Sequence, residues 1–204
     1  MSWWSIVPDA TEHVQIARHF SRRIPRGRIR FLANDDLEYR ISRDLELPGV
    51  LCNHNCFVDE TIFRPTASAI EFNSVYNAAF HRYKRHYLAR EIDPLLLIGY
   101  SFRGSGAESD EVIRSLPSAT LANTQADGTI LPLPAHEISS WLCKAQTGLC
   151  LSAVEGAMYA SMEYLMSGLP VVSTLSLGGR DYFFDDDFVR IAGPRSLEGK
   201  CLCK

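Results

Sequence analysis

The chain has 204 residues, which suits one domain, or one domain and a piece of a second. Its hydrophobic share of 46% and charged share of 22% belong to a globular protein able to bury a core, and a net charge of −3 gives no global case for nucleic acid or an anionic membrane. No run of roughly 18 apolar residues exists to span a bilayer, and the start MSWWSIVPDA lacks the basic and long apolar regions of a signal peptide, so a cytoplasmic address is the default expectation.

Met1 to Arg30 carries Ala10, Val14 and Ala17 at i, i+4 and i+7, one face of a helix, followed by arginines at 18, 22, 23, 26, 28 and 30. With only Phe20 as an interleaved aromatic, this cluster reads as a charged helix end or a face meeting another domain rather than a nucleic-acid patch. Ile29 to Ala33 predicts a strand, and Asn34 or Asp35 caps a helix from Asp36 to about Leu45, closed by Pro48 and Gly49. Gly49 to Cys56 predicts a further strand. Cys52, His54 and Cys56 alternate as strand residues do and have no C-x2-C partner pair, so no metal is expected there. The six cysteines, Cys52, Cys56, Cys143, Cys150, Cys201 and Cys203, are expected as reduced thiols.

Ser74 to Ala78 predicts a strand and Tyr83 to Ile92 a helix, with the basic loop NAAFHRYKRH between them. Arg85 and Arg90 read as the charged first turn of that helix. Pro94 to Phe102 is a continuous apolar run, hence a buried strand, and Gly104 to Gly106 lies at its carboxyl end, where open α/β sheets bind ligands. Glu111 to Leu116 predicts a short helix and Ala119 to Asn123 a short strand. His136 to Ala145 places Ile138, Trp141, Leu142 and Ala145 at i, i+3, i+4 and i+7, an amphipathic helix leading into a strand at Leu149 to Ser152.

The rest of the chain is organised around LSAVEGAMYASMEYLMSGLPVVSTLSLGGRD, Leu151 to Asp181. Met158, Met162, Leu165 and Met166 form a helical stripe over Ala157 to Ser167 that is expected to bury against a sheet. Gly168 ends this helix, Pro170 forbids its continuation, and Val171 to Thr174 is a β-branched run suited to a buried parallel strand. The unit is therefore βαβ and the fold class α/β. Glu155 precedes the helix and Glu163 follows eight residues later, beside the methionine stripe. Two readings stay open. Both glutamates are solvated at a helix start, or both face a cleft in which the Glu155 to Met158 turn meets a phosphate and Glu163 a ribose.

The run EGAMYASMEYLMSGLPVVST followed by GGRD resembles the donor-binding signature of retaining GT-B glycosyltransferases of the group 1, family 4 type: E-x7-E, then G-x-PVV-x-T, then GG. That resemblance implies a Rossmann-like parallel sheet with helices on both faces. It makes Glu155 the contact to the transferred sugar and Glu163 the ribose ligand, with Gly156, Ala157 and Met158 in the phosphate turn and Gly178 and Gly179 beside it. Asp59, Phe63 and Pro65 match the family's closing N-domain segment, so residues 1–68 are expected as a remnant of the acceptor-side domain and 69–204 as an incomplete donor domain. In the family's basic loop Lys84 falls on the phosphate lysine, whereas the arginine position is Ala79, with Arg82 or Arg85 as substitutes. Losing such a donor leaves leaving-group charge less well stabilised, by a few kcal/mol in order of magnitude.

Asp185 and Asp187 form a D-x-D, which binds cations in glycosyltransferases of another fold; here it reads as a solvated turn. The resemblance thus implies transfer of a sugar from a nucleotide diphosphate sugar to a hydroxyl acceptor, with retention. The family's leaving phosphate helps deprotonate the acceptor, and no cofactor or metal is needed. The acceptor is a polysaccharide, a lipid or a small molecule, a range that includes peripheral membrane association and excludes nucleic acid. The alternative is a catalytically inactive nucleotide-sugar-binding module; a sugar-nucleotide epimerase is a more distant third.

Overall fold

The computed structural model describes residues 14–16, 19–20, 23–24, 30–101, 106–125 and 127–193. Ala10, Ala17, Gly104 and the arginines at 18, 22, 26 and 28 lie outside them. Two compact units interleave along the chain. The first draws on the described part of Met1–Phe57 with Val154–Tyr159 and Ser176–Phe183; the second draws on Val58–Ala153, Ala160–Leu175 and the described part of Phe184–Lys204.

In the first unit, strand β1 (Phe31–Ala33) pairs in parallel with β2 (Gly49–Leu51), and helix α1 (Asp36–Asp44) joins them and packs on both. The expected cap is present: Asp35 Oδ1 accepts from the Glu38 N–H at 2.7 Å, while the Glu38 carboxylate turns back to accept from the Asn34 N–H at 2.8 Å. One helix-end donor and the N–H just ahead of the cap are thereby satisfied. The strand expected to reach Cys56 stops at Leu51, and His54–Phe57 forms a 3-10 turn instead. Its cause is local. The Asn53 side-chain carbonyl accepts from the Asn55 N–H at 2.9 Å, an asparagine turn that competes with a ladder.

In the second unit the described strands form one parallel sheet in the order β5-β4-β3-β6-β7-β8. They are β3 (Phe72–Ala79), β4 (Leu95–Tyr100), β5 (Thr120–Leu121), β6 (Ala145–Cys150), β7 (Val171–Ser173) and β8 (Val189–Ile191). Helices α2 (Gly106–Ser115), α3 (Ala135–Leu142) and α4 (Tyr159–Met166) alternate with them. The apolar run of β4 is explained by position: Leu95 to Ile98 are all buried, as in a strand covered on both faces.

Three further expectations are corrected. The helix expected over Tyr83 to Ile92 is two 3-10 turns, Arg82–Lys84 and His86–Ala89, separated by Arg85 in the left-handed region at φ 53°. The α3 helix ends at Leu142, and Ala145 opens β6. The methionine stripe is not the buried face of α4: Met158, which precedes the helix, is buried, but Met162, Leu165 and Met166 are half-buried while Ala160, Ser161 and Tyr164 lie inside. Tyr164 takes that place because Gly148 on β6 leaves room for its ring. A Cβ on Gly148 would stand 2.3 Å from Tyr164 Cγ and Cδ2.

Candidate functional site

Strand order in the second unit runs from β3 outward to β4 and β5, then returns to β6 beside β3 and continues to β7 and β8. The order in which the chain adds strands therefore reverses between β3 and β6. In open α/β sheets ligands bind outside the carboxyl ends of the strands at such a switch point. The two strands also part there: β3 pairs with β6 from Phe72↔Ala145 to Val75↔Gly148, whereas its pairing with β4 runs on to Ala79↔Tyr100.

Asn77 occupies that gap. Its N–H donates to the Tyr164 hydroxyl at 2.6 Å, and its side-chain amide donates to Glu163 Oε2 at 2.9 Å. Burial pushes the Glu163 carboxyl up to about 7, against the Asn77 hydrogen bond, which lowers it. Burial also raises Tyr164 well above the usual phenol value, so its hydroxyl stays protonated.

The loop after β3 supplies the basic groups. Lys84 is buried, its Nζ 5.1 Å from the centre of the Tyr83 ring, and its carbonyl accepts from the Tyr76 hydroxyl at 2.6 Å. Arg82 is exposed and pairs with Glu111 of α2 at 3.1 Å. Arg85 is not the solvated residue expected: its guanidinium donates to the carbonyls of Leu151, Ser152 and Leu175 and to Thr174 Oγ1, spanning the ends of β6 and β7. Ala79, at the arginine position of the resembled family, is fully buried at the end of β3. His86 is buried against Tyr76 and Phe80, ring centres 4.8 and 5.7 Å away, with no hydrogen-bond partner for either ring nitrogen. Burial, then the Lys84 charge, lower it to about 3.

The remaining predicted site residues belong to the first unit. Val154 bridges Leu177 in parallel, the Glu155 N–H donates to the Leu177 carbonyl at 2.9 Å, and Glu155, Gly156 and Met158 are buried with Ala157 half-buried. Gly178 has φ 96°, a conformation that favours glycine. Gly179 lies against Asn34, where a Cβ would come within 2.4 Å of Asn34 Cβ. Its carbonyl accepts from Asn53 Nδ2 at 2.8 Å, and the neighbouring Arg180, fully buried, donates to Asp181 at 2.6 Å. This glycine turn is thus part of the unit's own polar interior. Among the described residues no cluster of three metal-ligating side chains occurs, and no helix is long and apolar enough to cross a membrane.

Asn77 and Tyr164 are the residues that the sequence pattern did not single out. An asparagine interrupting a strand of buried residues was the available signal, since that residue type is depleted from strand interiors.

The Glu163 carboxyl has a consequence for stability. A carboxyl that holds its proton more tightly folded than unfolded stabilises the folded state below its ordinary value of 4.5, and that contribution is lost as pH rises through about 7. His86 acts in the opposite direction: its contribution is present above 6.5 and is lost as pH falls towards 3. Comparison with Glu163→Gln isolates the carboxyl. Between about pH 5 and pH 8 the urea midpoint of wild type is expected to fall relative to that of the variant. A gap between the two that is constant with pH contradicts the raised carboxyl.

No protein-family model matches the sequence, and a search of curated proteins gives no match. Solved structures match the fold. The C-terminal domain of a group 1 family glycosyl transferase, LpcC, from Francisella tularensis has a TM-score of 0.52 at 15% identity, over 69% of this chain and 82% of that one. Sucrose-phosphate synthase from Thermosynechococcus elongatus gives 0.63 at 16% identity, over 82% of this chain and 46% of that one. HepE of Anabaena, in complex with UDP and glucose, gives 0.66 at 14% identity, over 93% of this chain and 55% of that one. The parallel six-stranded sheet and its helices have the Rossmann-like fold of GT-B glycosyltransferases. The chain spans about half the length of the latter two proteins.

Proposed function

We propose that this chain is the nucleotide-sugar-binding part of a retaining glycosyltransferase, moving a sugar from a nucleotide diphosphate sugar to a hydroxyl acceptor. The observation that carries this reading is the Glu163 carboxylate, hydrogen-bonded to Asn77 at the switch point of a sheet whose fold HepE shares, a protein solved with UDP and with UDP-glucose. In this reading Glu163 accepts the ribose hydroxyls. Lys84 and Arg82 of the same unit supply positive charge to the diphosphate. Protein chemistry is then mostly positioning and charge stabilisation, the leaving phosphate taking the acceptor proton without a metal. Residues 1–68 are assigned to the acceptor side and 69–204 to the donor side, in the cytoplasm.

One observation favours the second reading, a nucleotide-sugar-binding module without turnover. Ala79 stands buried where the resembled family has its phosphate arginine, and the Arg85 guanidinium is engaged by carbonyls. Isothermal titration with UDP, GDP and ADP tests what the two readings share. One of these nucleotides is expected to bind, and Glu163→Ala to weaken it about tenfold or more, the loss of a charge-assisted hydrogen bond. Binding that survives Glu163→Ala unchanged contradicts both readings. Consumption of labelled nucleotide sugar then separates them, since a passive module consumes none.

A further inference from the structure

We propose that Asn77 is the residue that makes the site selective for a ribonucleotide: its amide fixes the Glu163 carboxylate by one oxygen so that the other accepts the ribose hydroxyls. This rests on the donor reading above and gives that reading a residue of this chain's own.

The geometry carries it in three steps. Beyond Val75 the β6 side of β3 has no ladder partner, and Asn77 uses that side for two contacts to consecutive residues of α4: its N–H to the Tyr164 phenol and its amide to Glu163. Because Tyr164 is fully buried beneath Gly148, the backbone of Asn77 is held and the direction of its amide follows. The amide then occupies Glu163 Oε2, whereas Oε1 accepts no hydrogen bond from a described residue. A carboxylate has acceptor capacity to spare, and a diol takes it with two donors.

The residue type matters as much as the contact. An amide orients the carboxyl without pairing its charge, so the second oxygen stays available to the ligand hydroxyls. A lysine or arginine in its place would pair with Glu163 and compete for the same lone pairs. A site built to accept from hydroxyls rejects the analogue lacking them, because its buried acceptor is then left unpaired.

The test compares whichever of UDP, GDP and ADP binds with its 2′,3′-dideoxy form, by isothermal titration on wild type, Asn77→Ala and the isosteric Asn77→Asp. Wild type is expected to prefer the ribose form by about tenfold or more. Both variants are expected to bring that preference close to one. In Asn77→Asp, which keeps the shape of the side chain, a carboxylate faces Glu163 in place of the donor. A general loss of folding or affinity lowers both ligands together and leaves their ratio alone, so the ratio reports orientation of the carboxylate. If wild type prefers the ribose form and both variants keep that preference, the Asn77 assignment falls and the donor reading stands. If wild type binds both forms equally, or binds no nucleotide, the ribose role of Glu163 falls and the Asn77 assignment falls with it.

Discussion

Gly148→Ala is expected to cost about 3 kcal/mol, the upper end for inserting one carbon into a packed interior, and Gly148→Val to prevent the second unit from folding. The added Cβ would stand 2.3 Å from Tyr164 Cγ and Cδ2 and 2.9 Å from its Cβ. Those are the root atoms of the side chain, not a flexible tip that can swing aside. The far end is held too, since the Tyr164 hydroxyl accepts from the Asn77 N–H at 2.6 Å, and the whole residue is buried. The ring can yield only by moving α4 off β6 or by breaking the contact to Asn77, and either displaces Glu163, the next residue back. Guanidinium midpoints of wild type and Gly148→Ala, followed by circular dichroism, measure the cost. A midpoint unchanged by the alanine shows that the ring has room to spare. Combining the change with Tyr164→Ala is expected to be clearly less than additive, because the clash and its partner disappear together.

The parallel sheet was legible because period and punctuation agreed. Leu95 to Ile98 form an unbroken apolar run, Gly168 and Pro170 stop α4, and Val171 to Ser173 are a buried strand. The cap of α1 was legible as Asn34 or Asp35, and Asp35 is the one that accepts from the Glu38 N–H. What the pattern missed was decided between distant segments. Hydropathy favours methionine over tyrosine as a buried residue, yet Tyr164 lies inside because a glycine sixteen residues earlier leaves a hole of its shape. The stretch Tyr83 to Ile92 has helical spacing, but a left-handed residue divides it, held by carbonyls more than sixty residues away. The spacing of Glu155 and Glu163 put both carboxylates forward as candidates. It carried no information about Asn77, whose part depends on where β3 and β6 separate.

Arg85→Ala is expected to cost about 2–3 kcal/mol, as removing a charged donor from several mostly buried acceptors does. The guanidinium is the common donor to Leu151 O, Ser152 O, Thr174 Oγ1 and Leu175 O, and Leu151, Ser152 and Thr174 are buried. It thereby ties the loop after β3 to the ends of β6 and β7, and the left-handed backbone at Arg85 is held by the same bonds. Truncation releases both at once. Arg85→Lys is the sharper comparison. An ammonium keeps the charge but offers its donors from one point, whereas these acceptors are met by a planar fork from Nε and Nη2. Lysine is therefore expected to recover less than half of the loss in a urea titration. If the basic loop served the ligand by charge alone, lysine would restore nucleotide affinity in full; if Arg85 acts by bracing the loop that carries Lys84, affinity follows the stability of the variant rather than its charge. Affinities of wild type, Arg85→Lys and Arg85→Ala that rank with their urea midpoints support the brace, and full affinity in Arg85→Lys at a lowered midpoint contradicts it.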